Sequence, residues 1–206
     1  MAKILIFGGT FDPVHNGHLQ TARAALRTLQ ADRIMFVPAN TSPHKLMPTM
    51  AASAPQQRLA MLHLAIGDDP AMEVSALELL RPPPSYTIDT LAILRRDRPG
   101  DEMTLLVGAD QLSALHTWKE MNAILETTPI AVLPRPGFEV PYRSPGNIPD
   151  HLWQKVITGI LDIPQYPISA TAIRQRLALG ESVADQIPAA VMAYIREHGL
   201  YQKRVT

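Results

Sequence analysis

The chain has 206 residues, 46% of them apolar and 18% charged, with 19 basic side chains, 19 acidic ones and no cysteine. That length buries a good core as one domain, or as one domain with a small annex, and the balanced charge gives no electrostatic reason to expect a nucleic-acid partner. The absence of cysteine excludes disulfides, thiol catalysis and zinc ribbons, and no apolar segment approaches the roughly 18–20 residues that span a membrane. Met1-Ala2-Lys3 leads straight into an apolar run with no signal peptide, so the expectation is a soluble, cytoplasmic protein.

Ile4-Leu5-Ile6-Phe7 is too brief for a helix and reads as a buried strand. Gly8-Gly9-Thr10-Phe11-Asp12-Pro13-Val14-His15-Asn16-Gly17-His18-Leu19 follows it. Leu19, Ala22, Leu26 and Leu29 then recur at helical spacing and form one stripe of an amphipathic helix ending near Gln30. A strand-to-helix turn of this kind is where an open parallel sheet puts its ligand crevice. Gly8 and Gly9 let the backbone come close to a ligand, and the helix points N–H groups at it. His15 and His18 stand at that helix mouth, and paired imidazoles at an anion site suit phosphate chemistry. Neither GxGxxG nor GK[ST] occurs. Two histidines at this spacing can also be metal ligands or structural side chains; no cysteine or suitably spaced carboxylate pair supports a metal.

Arg33-Ile34-Met35-Phe36-Val37 is a second buried strand, stopped by Pro38, which completes a βαβ unit. A long polar loop, with Asn40, Pro43, His44 and Lys45, leaves its C-terminal end. Pro55 opens a helix with Arg58, Leu59, Leu62 and Ile66, and Gly67 stops it. Residues 72–79 are expected to be a strand region. Arg81-Pro82-Pro83-Pro84 then delivers Ser85-Tyr86-Thr87 to a helix that Thr87 would cap, with Ile88, Leu91 and Leu94 on its stripe. Residues 103–107 form an apolar strand ending in Gly108-Ala109-Asp110, and Ile130-Ala131-Val132-Leu133 another, closed by Pro134-Arg135-Pro136-Gly137. The proline-rich residues 136–152 read as a surface loop, and Val156-Ile157-Thr158-Gly159-Ile160-Leu161 as a last strand. Ile168-Ser169-Ala170-Thr171 caps a helix that runs to Gly180, and a final helix runs from Pro188 to Gly199. The expectation is an α/β protein: a doubly wound, mostly parallel sheet of roughly five or six strands. It forms one domain over residues 1–206, with a helical C-terminal part from about residue 168 packed on it.

Polar clusters fall at the predicted strand ends: residues 10–18, 40–45, 85–87 and 108–110, with Trp118, Arg135 and residues 169–174. Lys45 or Arg135 alone would read as a solvated loop residue; joint placement on one edge argues for a site. The string His15-Asn16-Gly17-His18 after Gly-Gly-Thr-Phe-Asp-Pro resembles the HxGH motif of the nucleotidyltransferase superfamily. Pro43-His44-Lys45, Pro84-Ser85-Tyr86-Thr87-Ile88-Asp89-Thr90-Leu91, Gly108-Ala109-Asp110, Thr117-Trp118, Arg135-Pro136-Gly137 and Ile168-Ser169-Ala170-Thr171-Ala172-Ile173-Arg174 follow in order. Together they resemble the bacterial nicotinate-nucleotide adenylyltransferases over nearly the whole chain. Ala170 stands where many relatives carry a second serine in the ISxTxxR string, which removes one hydroxyl donor.

The resemblance implies a Rossmann-like nucleotidyltransferase fold and adenylyl transfer from ATP to nicotinate mononucleotide, giving deamido-NAD and pyrophosphate, a late step of NAD biosynthesis. It implies Mg²⁺ carried on the ATP phosphates, with no protein metal site, and leaves a homo-oligomer open. On this reading His15, His18, Lys45 and Arg174 are the catalytic set. Gly8, Gly9, Thr10 and Phe11 face ATP with both histidines, Gly17 leaving room for phosphate. Gly108 and Asp110 meet the adenosine part, and Ile168, Ser169, Thr171 and Arg174 the leaving pyrophosphate. Asn40, Lys45, Tyr86, Thr87, Trp118 and Arg135 receive the mononucleotide, Trp118 stacking on pyridine and the 85–87 turn taking its carboxylate. Trp118 could instead anchor the core, and Asp110 could cap the following helix. Rival readings are another HxGH enzyme, such as a phosphopantetheine adenylyltransferase or a cytidylyltransferase, a non-catalytic nucleotide-binding module, and an RNA-binding protein of the class I synthetase type.

Overall fold

The computed structural model describes residues 1–40, 53–141 and 143–202. Five strands form one parallel sheet: β1 (Lys3–Gly9), β2 (Arg33–Pro38), β3 (Met72–Val74), β4 (Glu102–Gly108) and β5 (Ile130–Leu133), in the spatial order β3-β2-β1-β4-β5. The order reverses between β1 and β4, so the crevice beyond their C-terminal ends is the switch point at which doubly wound sheets bind ligands. The His-rich bend leaves β1 there, and Gly108-Ala109-Asp110 leaves β4 beside it.

Strand side chains alternate between two apolar faces, both covered, as an all-parallel sheet requires. Leu5, Phe7, Ile34, Phe36 and Leu106 face α1 (Asn16–Leu29), α2 (Pro55–Ile66), α6 (Ala170–Ala178) and α7 (Ala189–Glu197), through Leu19, Ala22, Met61, Leu62, Ile173, Val191 and Ile195. Ile4, Ile6, Met35, Leu105 and Val107 face α3 (Thr87–Asp97), α4 (Met121–Thr127), α5 (Asp150–Thr158) and the 3-10 helix Ala109–Thr117. The C-terminal helices therefore share the core of β1. Ile173 is the one buried residue of α6, so it seats the short helix on the sheet; truncating so enclosed a side chain to Ala costs about 2–5 kcal/mol.

Three expectations change. Residues 156–161 are not a strand: α5 runs through Thr158 and buries Leu152, Trp153 and Val156 on one face. The β-branched run that suggested a strand lies at the end of that helical stripe. The chain then touches the sheet only once: Val132 N donates to Gly159 O at 2.8 Å and Leu161 N to Val132 O at 3.0 Å, a single parallel bridge at Ile160. Secondly, residues 72–79 give only the three-residue β3, after which a turn carries Glu78 inward to Thr90. Thirdly, Tyr86 occupies the N-cap of α3 in extended conformation and Thr87 is its first helical residue.

Candidate active site

β1 ends where Phe11 takes a left-handed backbone (φ 50°) and folds its ring back against Gly9. A Cβ on Gly9 would lie 2.9 Å from Phe11 Cζ, whereas one on Gly8 would meet nothing within 4 Å. Gly9 thus serves close packing, and Gly8 leaves open space. Phe11, expected on the ATP side, is a buried core ring: it stands edge-on to Phe7 and to Phe36, 5.5 and 5.6 Å between centroids. Its role at the site is the floor it makes under His18, 5.1 Å away and tilted 72°.

The two histidines cap one another. His15 is the N-cap of α1; its Nδ1 accepts from His18 N, and His18 Nδ1 accepts from His15 N, each at 3.3 Å, with the rings stacked 3.7 Å apart. This is a capping box in which imidazoles replace the usual hydroxyl and carboxylate. An accepting Nδ1 carries no proton, so each neutral ring keeps its hydrogen on Nε2 and presents a donor there. His15 is only 2% exposed, and burial, with the Arg135 charge adding to it, pulls its pKa down from 6.5 to about 3. It acts as a neutral donor, not a cation. Gly17 is small because a Cβ there would come within 3.1–3.2 Å of the His15 ring and Ile168. The same contact brings Ile168, before the start of α6, to the bend.

Arg174, from α6, donates through Nη1 to Asp12 O at 2.6 Å and through Nη2 to Thr171 Oγ1 at 3.4 Å. Ser169 is the N-cap of α6, its Oγ accepting from Ala172 N at 3.5 Å, and both Ser169 and Thr171 are exposed. Opposite them, Arg135 Nε pairs with Asp110 Oδ1 at 3.0 Å, against Gly108, where any Cβ would strike that carboxylate. Arg135 therefore links Asp110 to the His15 side of the switch point. Asp110 lies in the first turn of the 3-10 helix, whose N-cap is Gly108.

The residues expected to receive the mononucleotide divide. Asn40 is held by scaffold contacts: its N donates to Ser85 Oγ at 3.4 Å and its Nδ2 to Arg81 O at 3.1 Å. Its amide binds the end of β2 to the 81–87 turn. Trp118 ends the 3-10 helix, half-buried against the second apolar face. Lys119, the residue after Trp118, places Nζ 4.8 Å from the Tyr86 ring centroid and 3.4 Å from Asp89 Oδ1, which ties the end of the 3-10 helix to the start of α3. Lys45 and His44 fall outside the described residues.

Sequence reasoning missed several supports. Arg58, 3% exposed, sends Nη1 to Thr10 O at 2.8 Å and Nη2 to Asn40 O at 3.1 Å, joining the bend to the end of β2. Burial lowers its pKa, and the charge of Asp12 opposes that shift. The signal was an arginine in register with buried Met61 and Leu62, four residues or fewer away on α2. Asp12, 4% exposed, accepts at Oδ1 from Ser53 N (3.3 Å), from the Ser53 hydroxyl and from Tyr201 OH (2.6 Å). Buried Glu78 accepts from Thr90 Oγ1 at 2.7 Å; burial pushes its carboxyl up, while Thr90, Arg81 and Ser85 pull it down.

A sheet that reverses at β1, with imidazole donors and arginines gathered beyond it, defines a nucleotidyltransferase. The cytidylyltransferase-like family pattern matches residues 6–176. Relatives named "Probable nicotinate-nucleotide adenylyltransferase" are 40% identical in Neisseria meningitidis serogroup B and 41% in a Roseiflexus species, covering 98% of this chain in both cases and 100% and 98% of theirs. The chain belongs to the nicotinate-nucleotide adenylyltransferase family. The Plasmodium falciparum nicotinic acid mononucleotide adenylyltransferase complexed with NaAD shares the fold, at a TM-score of 0.75 and 18% identity over 98% of both chains.

Proposed function

We infer that this chain transfers the adenylyl group of ATP to nicotinate mononucleotide, releasing pyrophosphate and forming deamido-NAD in NAD biosynthesis. The observation that carries the mechanism is the reciprocal histidine cap, in which both Nδ1 atoms accept, so that Nε2 is the donating nitrogen of each ring at the mouth of α1 beside the sheet's switch point. A phosphate oxygen of the mononucleotide attacks the α-phosphorus in line, and the bond to the β-phosphate oxygen breaks. No covalent enzyme intermediate is required, so the protein contributes orientation and charge stabilisation. His18 donates to the α-phosphate as charge grows there, and His15 helps seat the triphosphate. Arg174, with the exposed start of α6 at Ser169 and Thr171, receives the leaving pyrophosphate, and Lys45 assists from its own loop.

Mg²⁺ is proposed to travel with the ATP phosphates, since it keeps its waters and rarely takes an all-protein cage. Arg174 and the α1 mouth would share the phosphate charge with it. Trp118 is proposed to stack on the pyridine, and the N–H groups at the start of α3 to take its carboxylate, with Lys119 above Tyr86 adding positive charge. No described helix is long and apolar enough to cross a membrane, and a cytoplasmic site of action is proposed. The test is pyrophosphate release with ATP, Mg²⁺ and either mononucleotide. The acid should show the higher kcat/KM, and equal values for acid and amide would overturn the carboxylate assignment.

A further inference from the structure

Asp12 is an acidic group at the heart of a site built for anions. Two of its neighbours are cations: Arg58, whose guanidinium feels the Asp12 charge, and Arg174, which bonds the Asp12 carbonyl at 2.6 Å. A loose carboxylate there would swing onto the nearer guanidinium and compete with phosphate for it. In this chain the carboxylate is held by neutral donors instead. Oδ1 accepts from Ser53 N, from the Ser53 hydroxyl and from Tyr201 OH, and the two hydroxyl oxygens lie 3.0 Å apart. Tyr201 reaches the bend from 189 residues away, with its backbone in the left-handed region (φ 62°). Its ring packs on the first apolar face, which phenylalanine would do as well; only the hydroxyl requires tyrosine. Burial, with the Asp12 charge adding to it, holds the phenol pKa above its usual value, so the donor keeps its proton.

We propose that Tyr201 is a positioning residue for adenylyl transfer: its hydroxyl holds the Asp12 carboxylate away from Arg174, so that the guanidinium is fastened to the Asp12 carbonyl and Thr171 Oγ1 rather than to the carboxylate and stays directed at phosphate. Arginine has several rotatable bonds, and fixing one Nη before substrate arrives removes an ordering cost at the moment of reaction. The inference rests on the phosphate role given to Arg174 above.

The experiment is steady-state pyrophosphate release by Tyr201→Phe, Arg174→Lys and the double variant, each normalised to folded protein by circular dichroism and thermal melting. Tyr201→Phe should lower kcat roughly tenfold, with KM for nicotinate mononucleotide within about twofold of the parent, the scale of a small displacement of a phosphate-binding group. In the Arg174→Lys background the same change should add little. Full kcat per folded molecule in Tyr201→Phe, with only a lower melting temperature, would make the tyrosine structural and overturn the proposal; so would losses that multiply independently. Full turnover in Arg174→Lys would instead sink the phosphate role of Arg174, and this proposal with it. Should Tyr201→Phe be recovered unfolded, Ser53→Ala removes the other hydroxyl from the same oxygen. A several-fold loss of kcat in that variant supports the proposal, and an unchanged kcat overturns it.

Discussion

The bend after β1 is enclosed: Asp12, His15 and Arg58 are buried, and each hydrogen-bonds to another segment or to the next turn of its own helix. Around Trp118 and Tyr86, on the side proposed for the pyridine, the contacts are a cation over a ring and a partly exposed ion pair between Lys119 and Asp89, of the kind worth little in water. The difference fits the roles proposed for the two halves. Groups that meet charge developing on phosphorus gain from being fixed beforehand, because no reorganisation is then left to the transition state. Groups that choose among ground-state rings need only area and a favourable field, which half-buried side chains supply.

The most direct way to break this contrast is His18→Ala, which should lower kcat by roughly two to four decades with a smaller change in ATP affinity, the scale of one lost transition-state donor. Retained turnover in pyrophosphate release would remove His18 from its role. Arg58→Met should act on the fold, leaving the Thr10 and Asn40 carbonyls bare at about 1–3 kcal/mol each, read as a lower urea midpoint. An unchanged midpoint would mean the bend does not depend on its buried arginine.

His15 should appear in the pH dependence of stability. Its folded pKa of about 3 lies below the unfolded value of 6.5, so between those values the unfolded chain binds the extra proton. Its contribution is therefore complete above about pH 6.5 and is lost as pH falls toward 3. His15→Asn keeps a good N-cap and should flatten that acid limb in melting experiments; an identical limb would place the titration elsewhere. The smallest effect is expected on the open side. Trp118→Ala should raise KM for the mononucleotide by about two- to tenfold while leaving ATP nearly unchanged, as loss of one aromatic stack predicts. Equal weakening of both substrates would assign Trp118 to packing.

The sequence made the strand–bend–helix legible because its signals are local: an apolar run, glycines, then a clean helical stripe from Leu19 to Leu29. The βαβ order and the helix starts at Pro55 and Ser169 were visible for the same reason. Asp12, Arg58 and Tyr201 were not, since their partners lie 18 to 189 residues away and no periodicity encodes such pairings. The failure at residues 156–161 has another cause. Val, Ile and Thr favour strands by propensity, and the burial of Leu152, Trp153 and Val156 overrode that preference. Thr87 failed as a cap because the preceding Tyr86 already holds the extended backbone that the position needs.

The tie between Tyr201 and Asp12 also sets a timetable. During translation the bend is made early, and its last fastening arrives 189 residues afterwards. At about 5–20 residues per second that is a wait of roughly 10 to 40 s. Through that interval a nascent chain can pair its first strands while the bend lacks its final support, and the same late residues, through Val191 and Ile195 of α7, close the core beneath it.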